Sequence, residues 1–284
     1  MIKVLHSGFY STIQDLGRKD HQHLGVPMSG SMDLHSAVLA NAILGNEDNC
    51  AVLEMTMLGP KLEFTCESVI VITGANLSPS LNNLHVSNNS VINVSKGDVL
   101  SFGKPISGFR AYLAVFGGFQ SDKVLSSRSM YQGITEVSNI KKGDELLIEP
   151  KNHKDKTYAA IKKKTDYLNE KVVSVYKGPE FHLLNDKQIK MLFKQEFTIS
   201  KENNRMAYQL DELITNNLDG IITSLVMPGT VQLTPSGKLI VLMRDCQTTG
   251  GYPRILQLSD NSINTLAQKM TGQKITLQLL EYPA

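Results

Sequence analysis

The chain has 284 residues, 41% of them hydrophobic and 20% charged, with a formal charge of +2. This composition excludes a disordered, collagen-like or disulfide-rich chain and fits about two ordinary domains. The charge is near balance, tryptophan is absent, and Cys50, Cys66 and Cys246 form no close pair, so no nucleic-acid surface, disulfide framework or thiolate metal site is indicated.

No apolar run reaches the roughly 18 residues of a membrane span. The opening MIKVLHSGFYSTIQD lacks the basic start and apolar centre of a signal peptide. The sequence therefore reads as cytoplasmic.

Short β-branched runs dominate the first half: Val69 to Thr73, Val91 to Val94, Val99 to Phe102, Arg110 to Phe116 and Glu145 to Ile148. Turn-forming pairs such as Gly59-Pro60, Asn88-Asn89, Gly97-Asp98, Gly117-Gly118 and Gly143-Asp144 separate them. That rhythm predicts a sandwich or barrel, because a parallel sheet needs a helix between strands. One helix is predicted from Met32 to Leu44, where Leu34, Val38, Leu39, Ala42 and Ile43 follow a helical period. Ser31 is available to cap its start, Asp33 complements its dipole, and Gly45 suits its end.

Residues 151–171 form a lysine-rich linker, either a solvated segment or a site for an acidic partner. It separates a first domain, 1–150, from a second, 172–284. The second half is predicted to hold strands at Val172 to Tyr176, Gly220 to Ser224, Thr230 to Leu233, Leu239 to Arg244 and Ile275 to Leu280. Helices are predicted from Phe181 to Phe193 and from Ser262 to Met270, the latter capped by Ser259, Asp260 or Ser262 and ended by Gly272. Both halves suggest the same mainly β plan with a few helices, a duplicated barrel.

Phosphate loops, dinucleotide fingerprints, nucleophile elbows and zinc-protease motifs are missing. His21 and His23, two apart, read as surface or turn residues rather than a metal site.

Four segments carry more polar residues and glycines than a barrel requires. Gln14-Asp15-Leu16-Gly17-Arg18 precedes Gly25-Val26-Pro27-Met28-Ser29, a loop that feeds the predicted helix start; it is either a simple cap or a place where free N–H groups receive an anion. Glu54 interrupts an apolar run, so it faces solvent at an edge or is buried against an arginine. Arg128, in Ser126-Ser127-Arg128-Ser129, is a carboxylate clamp or a surface ion pair. The fourth segment, Arg244-Asp245-Cys246-Gln247-Thr248-Thr249-Gly250-Gly251-Tyr252-Pro253-Arg254, surrounds a glycine pair with donors and acceptors.

In order along the chain, QDLGR, GVPMSGSMD, Ala40-Asn41 to Asn46, LEMTMLGPKLEF, ITGAN, YLAVFGGF, SSRS, NRM-x-Y-x-L and QTTGGYPRI resemble the KipA-type proteins. These are also called allophanate hydrolase subunit 2, biotin-dependent carboxyltransferase family proteins or the 5-oxoprolinase C subunit. The resemblance runs from about Ile2 to Leu280. It implies two tandem cyclophilin-like β-barrel domains. It also implies a subunit that, with KipI-like and LamB/YcsF-like partners, opens 5-oxoproline to glutamate at the expense of ATP.

The same resemblance admits two alternatives. One is the carboxyltransferase part of a biotin-dependent urea or other amide carboxylase, with a biotin carboxylase and a biotin carrier as partners. The other is a non-catalytic regulator that binds a KipI-like protein. No cofactor is expected to be bound covalently: the biotinylation tripeptide Met-Lys-Met is absent, so biotin would arrive on a partner.

By the resemblance, a crevice between the two barrels would take a small amide. Its catalytic candidates are Asp245, Arg254 and Glu54. Gln14, Asp15, Arg18, Pro27, Ser29, Asp33 and Arg128 would line it from the first half, and Arg205, Gln247, Thr248, Gly250, Gly251 and Tyr252 from the second. The sequence departs from the family pattern at Asp20, where glycine is usual, and at Ala207 and Gln209, which replace a glycine and an arginine. Loss of that arginine leaves Arg205 as the substitute anion clamp or shifts the choice of substrate.

Overall fold

Alternating apolar and polar positions between frequent turns produce twenty strands and three α-helices among residues 1–150 and 166–281, which are those the computed structural model describes. They fall into two units, Met1–Arg18 with Ser29–Leu168 and Lys19–Met28 with Asn169–Ala284. The predicted lysine-rich linker lies outside the described residues over 151–165.

The first unit contains β1 (Ile2–His6), β2 (Tyr10–Gln14), α1 (Leu34–Leu44), β3 (Val52–Thr56), β4 (Lys61–Phe64), β5 (Ser68–Asn76), β6 (Ser80–Leu81), β7 (Leu84–His85), β8 (Val91–Val94), β9 (Val99–Ser101), β10 (Ser107–Val115) and β11 (Glu145–Leu146). They form a six-stranded sheet, β11-β1-β4-β9-β6-β7, and a five-stranded sheet, β2-β3-β10-β5-β8. Val4, Leu62 and Phe64 of the first meet Ile13, Leu53, Ile72 and Leu113 of the second in one core. Because strand side chains alternate, the intervening residues point to the opposite face, where α1 packs Ala37, Ala40 and Ile43 on Val69, Val71 and Tyr112.

Helix α1 starts later than predicted, and its cap is Asp33, whose carboxylate accepts the Ser36 N–H at 3.1 Å; Ser31 does not cap it. Gly45 ends it at φ 71°, as expected. Of the predicted apolar positions Leu39 and Ile43 are buried, with Ser36, Ala37, Ala40, Asn41 and Leu44, while Leu34, Val38 and Ala42 are half-buried. The helix is apolar nearly all round, so its period marked the buried face only in part.

The second unit holds β12 (Val172–Lys177), α2 (Asp186–Lys194), β13 (Phe197–Asn203), β14 (Ala207–Leu210), β15 (Ser224–Leu225), β16 (Thr230–Leu233), β17 (Leu239–Leu242), β18 (Thr249–Gly250), β19 (Arg254–Leu258), α3 (Asp260–Ala267) and β20 (Lys274–Leu279). Seven of these close a barrel in the order β12-β19-β16-β17-β14-β13-β20. Closure falls between β12 and β20, which run parallel with Val172 opposite Thr276, and which no tight turn could join.

The helix predicted from Phe181 divides into a 3-10 turn, Phe181–Leu183, and α2, which an Asn185–Gln188 capping box starts. Ser259 caps α3, which closes on Gln268 before Gly272 is reached. Of the predicted strand Gly220 to Ser224, Ser224 alone belongs to a strand, β15, which runs on to Leu225 and pairs with Gly250 and Thr249, while the Ile221 N–H donates to Gly251 O.

Candidate functional site

Each unit builds its own polar centre, and the sixteen candidate residues are divided between them. In the first unit the register sets Thr12, Glu54, Tyr112 and Thr73 opposite one another across β2, β3, β10 and β5. All four are buried in a polar row on the face that carries α1.

Glu54 Oε2 accepts the Met32 N–H at 2.7 Å and the Tyr112 hydroxyl at 2.9 Å, while Oε1 lies 3.8 Å from Arg110 Nε. Of the two sequence readings of Glu54, the buried carboxylate beside an arginine is the one realised. The Tyr112 oxygen also accepts the Asp33 N–H at 2.8 Å. Burial, with Glu54 and Asp33 beside it, pushes the Tyr112 phenol well above its ordinary value, so it stays protonated and donates.

This network changes the reading of the helix start. The N–H groups of Ser31, Met32 and Asp33 go to Asp15 O, Glu54 and Tyr112, and the Gly25 N–H closes the turn Gln22–Leu24 onto Gln22 O. Of the two readings of this loop, the cap is formed by Asp33, and the Met32 N–H that precedes it is taken by the chain's own Glu54 carboxylate. Asp33 Oδ2 accepts from the Tyr167 hydroxyl at 2.6 Å and the Ser36 hydroxyl at 2.8 Å. Gln14 donates to Thr12 Oγ1 and Met130 O. Gln14 Oε1, Ser29 Oγ, Ser31 Oγ and Thr56 Oγ1 are buried without a hydrogen-bond partner among the described residues.

Asp15 and Arg18 form a separate clasp. The Asp15 carboxylate accepts from the Gly17 and Arg128 N–H groups and from the Ser127 and Ser129 hydroxyls, at 2.6 to 2.8 Å. Arg18 donates to the carbonyls of Val124 and Ser129. Four donors engage the Asp15 carboxylate, and with Arg18 it ties the end of β2 to the segment from Val124 to Ser129. Arg128 is neither a surface ion pair nor part of the Glu54 row: its Nη2 donates to Gln120 Oε1 at 2.8 Å on the wall of a cavity in this unit.

In the second unit, Arg205 grips Asp245 through two bonds, Nε to Oδ2 at 2.7 Å and Nη2 to Oδ1 at 3.0 Å. Arg205 is therefore engaged with Asp245 instead of standing as a free anion clamp, and Gln209 accepts from Lys238 at 3.2 Å. Arg254 is held in the same way by Glu180, with Nε to Oε2 at 2.9 Å and Nη2 to Oε1 at 2.7 Å, and it also donates to Leu225 O. Each carboxylate–guanidinium fork fixes both partners.

The fourth segment forms a flap in which β18 pairs with β15. A Cβ at Gly250 would lie 2.5 Å from the terminal Nε2 of Gln232, so a larger residue there would have to displace that amide. Gly251 and Tyr252 are exposed, as is Gln247, and Thr248 is half-buried. Burial, then the adjacent Asp245, pushes the Cys246 thiol up to about 12, which makes it a poor nucleophile. Pro27 lies in the segment Lys19–Met28 of this unit. Asp20 in that segment has φ 67°, a left-handed conformation that explains the glycine usual there. His21 precedes the 3-10 turn Gln22–Leu24 and His23 lies within it, so they do not share a strand, and among the described residues no His, Cys, Asp and Glu group of three could hold a metal.

Sequence reasoning missed Tyr112, Arg110, Tyr167 and Glu180. Register pairs the first two with Glu54 and Thr56. Tyr167 and Glu180 reach their partners over 134 and 74 residues and leave no local signal.

Fold and polar centres together define a mainly β protein of two units, each with its own buried carboxylate–arginine pair. The profile of the carboxyltransferase domain, subdomain A and B, matches residues 24–279, and the chain belongs to that family. It is 32% identical over 281 residues to the 5-oxoprolinase C subunit of Escherichia coli, covering 97% of this chain and 90% of that one. With the 5-oxoprolinase C subunit of Haemophilus influenzae it shares 29% over 285 residues, 98% and 91% of the two chains. The crystal structure of Kluyveromyces lactis urea carboxylase superposes with a TM-score of 0.86 at 26% identity, over 99% of this chain and 27% of that one. No helix among the described residues is long and apolar enough to cross a membrane.

Proposed function

We propose that the chain is the C subunit of an ATP-dependent 5-oxoprolinase, acting with KipI-like and LamB/YcsF-like subunits. The observation that carries this reading is the 32% identity sustained over 97% of the chain and 90% of the Escherichia coli protein. In the reaction the lactam C–N bond breaks, water adds oxygen to the carbonyl carbon and a proton reaches the nitrogen. A second water is consumed as ATP becomes ADP and phosphate. Charge grows on the carbonyl oxygen, and fixed donors in a dry site lower the barrier for that step.

This chain has no phosphate loop, so its contribution is to hold and orient the amide. Gln247 and Thr248 have no side-chain hydrogen bond among the described residues and offer the donor and acceptor that a lactam requires. Asp245, fixed by Arg205, orients the ring N–H; Arg254, fixed by Glu180, faces the developing charge. Glu54 works through Met32 and Tyr112 as a positioning residue for the segment that bears Ser29 and Asp33.

The likeness to a urea carboxylase supports a second reading, carboxyl transfer to urea or another amide. The ureido group of biotin makes the same demand for a paired donor and acceptor, which Gln247 and Thr248 satisfy; biotin would bring an activated carboxyl group on a partner's carrier. Reconstitution separates the two. Glutamate release from 5-oxoproline that needs ATP and all three proteins is expected. Unchanged release without this chain ends the first reading, and avidin-sensitive carboxylation of urea establishes the second.

A further inference from the structure

The first unit contains a cavity of about 460 Å³ that the proposed reaction does not use. Ile13 lines it, and since Ile13 alternates with Thr12 and Gln14 along β2, the cavity lies on the opposite face of that strand from the Glu54 row. Its apolar wall includes Phe119, Met130 and Leu146.

Arg128 is fixed in this wall from two sides. Its N–H is bound to Asp15, and its Nη2 to Gln120, whose Nε2 is itself held by the carbonyls of Gly117 and Gly118. That second bond orients the Gln120 amide so that its oxygen must face the guanidinium. Arg110, Arg205 and Arg254 each have a carboxylate in ion-pair contact. Among the described residues Arg128 has none; a neutral amide positions it without cancelling its charge. Ser121 Oγ, on the same wall, is buried without a hydrogen-bond partner among the described residues.

The rest of the lining has the opposite sign. Asp122, Glu136 and Glu145 are exposed on it, with the half-buried Asp144, whose carboxylate also caps the turn at Lys141. A simple anion meets repulsion there, and a simple cation meets Arg128. A ligand that carries both charges is matched by both.

We infer that this cavity binds a small zwitterionic amino acid with an apolar side chain. The carboxylate is received by Arg128 and Ser121, the ammonium faces the acidic residues, and the side chain lies on Ile13, Phe119 and Met130. The site is independent of the reaction proposed above.

Ligand-observed NMR titration of the full chain tests it, with L-leucine, 4-methylpentanoate and 3-methylbutylamine as probes. Saturable binding of L-leucine is expected, with each single-charge probe at least about tenfold weaker. Arg128→Gln should weaken L-leucine by at least about tenfold. Glu136→Gln with Glu145→Gln, both exposed and without an ion pair among the described residues, should weaken L-leucine about twofold to fivefold and strengthen 4-methylpentanoate. Absence of saturable L-leucine binding, equal binding of the plain carboxylate, or a rim variant that leaves both probes unchanged would each overturn the assignment.

Discussion

Tyr112 and Glu54 stand opposite each other on β10 and β3, and the phenol donates to the carboxylate at 2.9 Å while it accepts the Asp33 N–H at 2.8 Å. One side chain thus joins a buried charge to the start of α1. The same carboxylate oxygen receives Met32, so the helix end is anchored to the sheet through two consecutive residues.

Removal of either partner leaves the other short of a bond in a dry site. Tyr112→Phe is expected to cost about 1–3 kcal/mol, because it strips Glu54 of a donor and Asp33 N–H of its acceptor. Glu54→Gln, which takes the carboxylate away from Arg110, is expected to cost about 3–5 kcal/mol. Urea denaturation of the two variants checks both values; losses below about 0.5 kcal/mol would show that the row is not a stabilising network.

The Arg205–Asp245 fork is predicted to act as a unit. Arg205→Gln and Asp245→Asn should each cost about 3 kcal/mol, and the double variant much less than their sum, since neither leaves a lone buried charge when both are changed. In the reconstituted complex, Asp245→Asn should reduce ATP-dependent glutamate release while co-purification with the partners persists. Full activity would remove Asp245 from the proposed chemistry.

The turn between Val124 and Ser127 places Leu125 at φ 51° and Ser126 at φ 63°, the two-residue hairpin geometry that asparagine and glycine favour. Exchange of the pair, Leu125→Asn with Ser126→Gly, should stabilise the protein by about 1 kcal/mol by relief of left-handed strain. A lower melting temperature would mean that the exposed Leu125 contributes packing that outweighs the strain.

Hydrogen bonds from Arg254 hold the Glu180 carboxyl below its usual range, and burial opposes them only in part. A depressed folded value means that the stabilisation is present above the unfolded value of about 4.3 and is lost as pH falls through the folded one. The difference in melting temperature between the wild type and Glu180→Gln should therefore be constant near neutrality and shrink below about pH 4. The opposite trend would contradict the pairing.

Much of the fold is legible locally. Thr230–Leu233 has the predicted bounds, Ser259 is among the predicted caps, and Gly45 ends α1, because period, cap and turn chemistry act within a few residues. The helix near Phe181 departs from its prediction where a second cap, Asn185, restarts it after a 3-10 turn.

The candidate site is legible as residue types in a family order, but not as bonds. The sequence alone determined that the chain is mainly β, that it has two halves, that Glu54 and Asp245 sit where polarity is unusual, and that the family is that of the carboxyltransferases. Tertiary structure decided which arginine each carboxylate holds, that Glu54 takes the Met32 N–H just before α1, and that Arg128 turns to a cavity on the other face of β2. Those outcomes depend on strand register and on contacts such as Arg205 with Asp245, 40 residues apart, and Arg254 with Glu180, 74 apart, and no local preference encodes a partner so far along the chain.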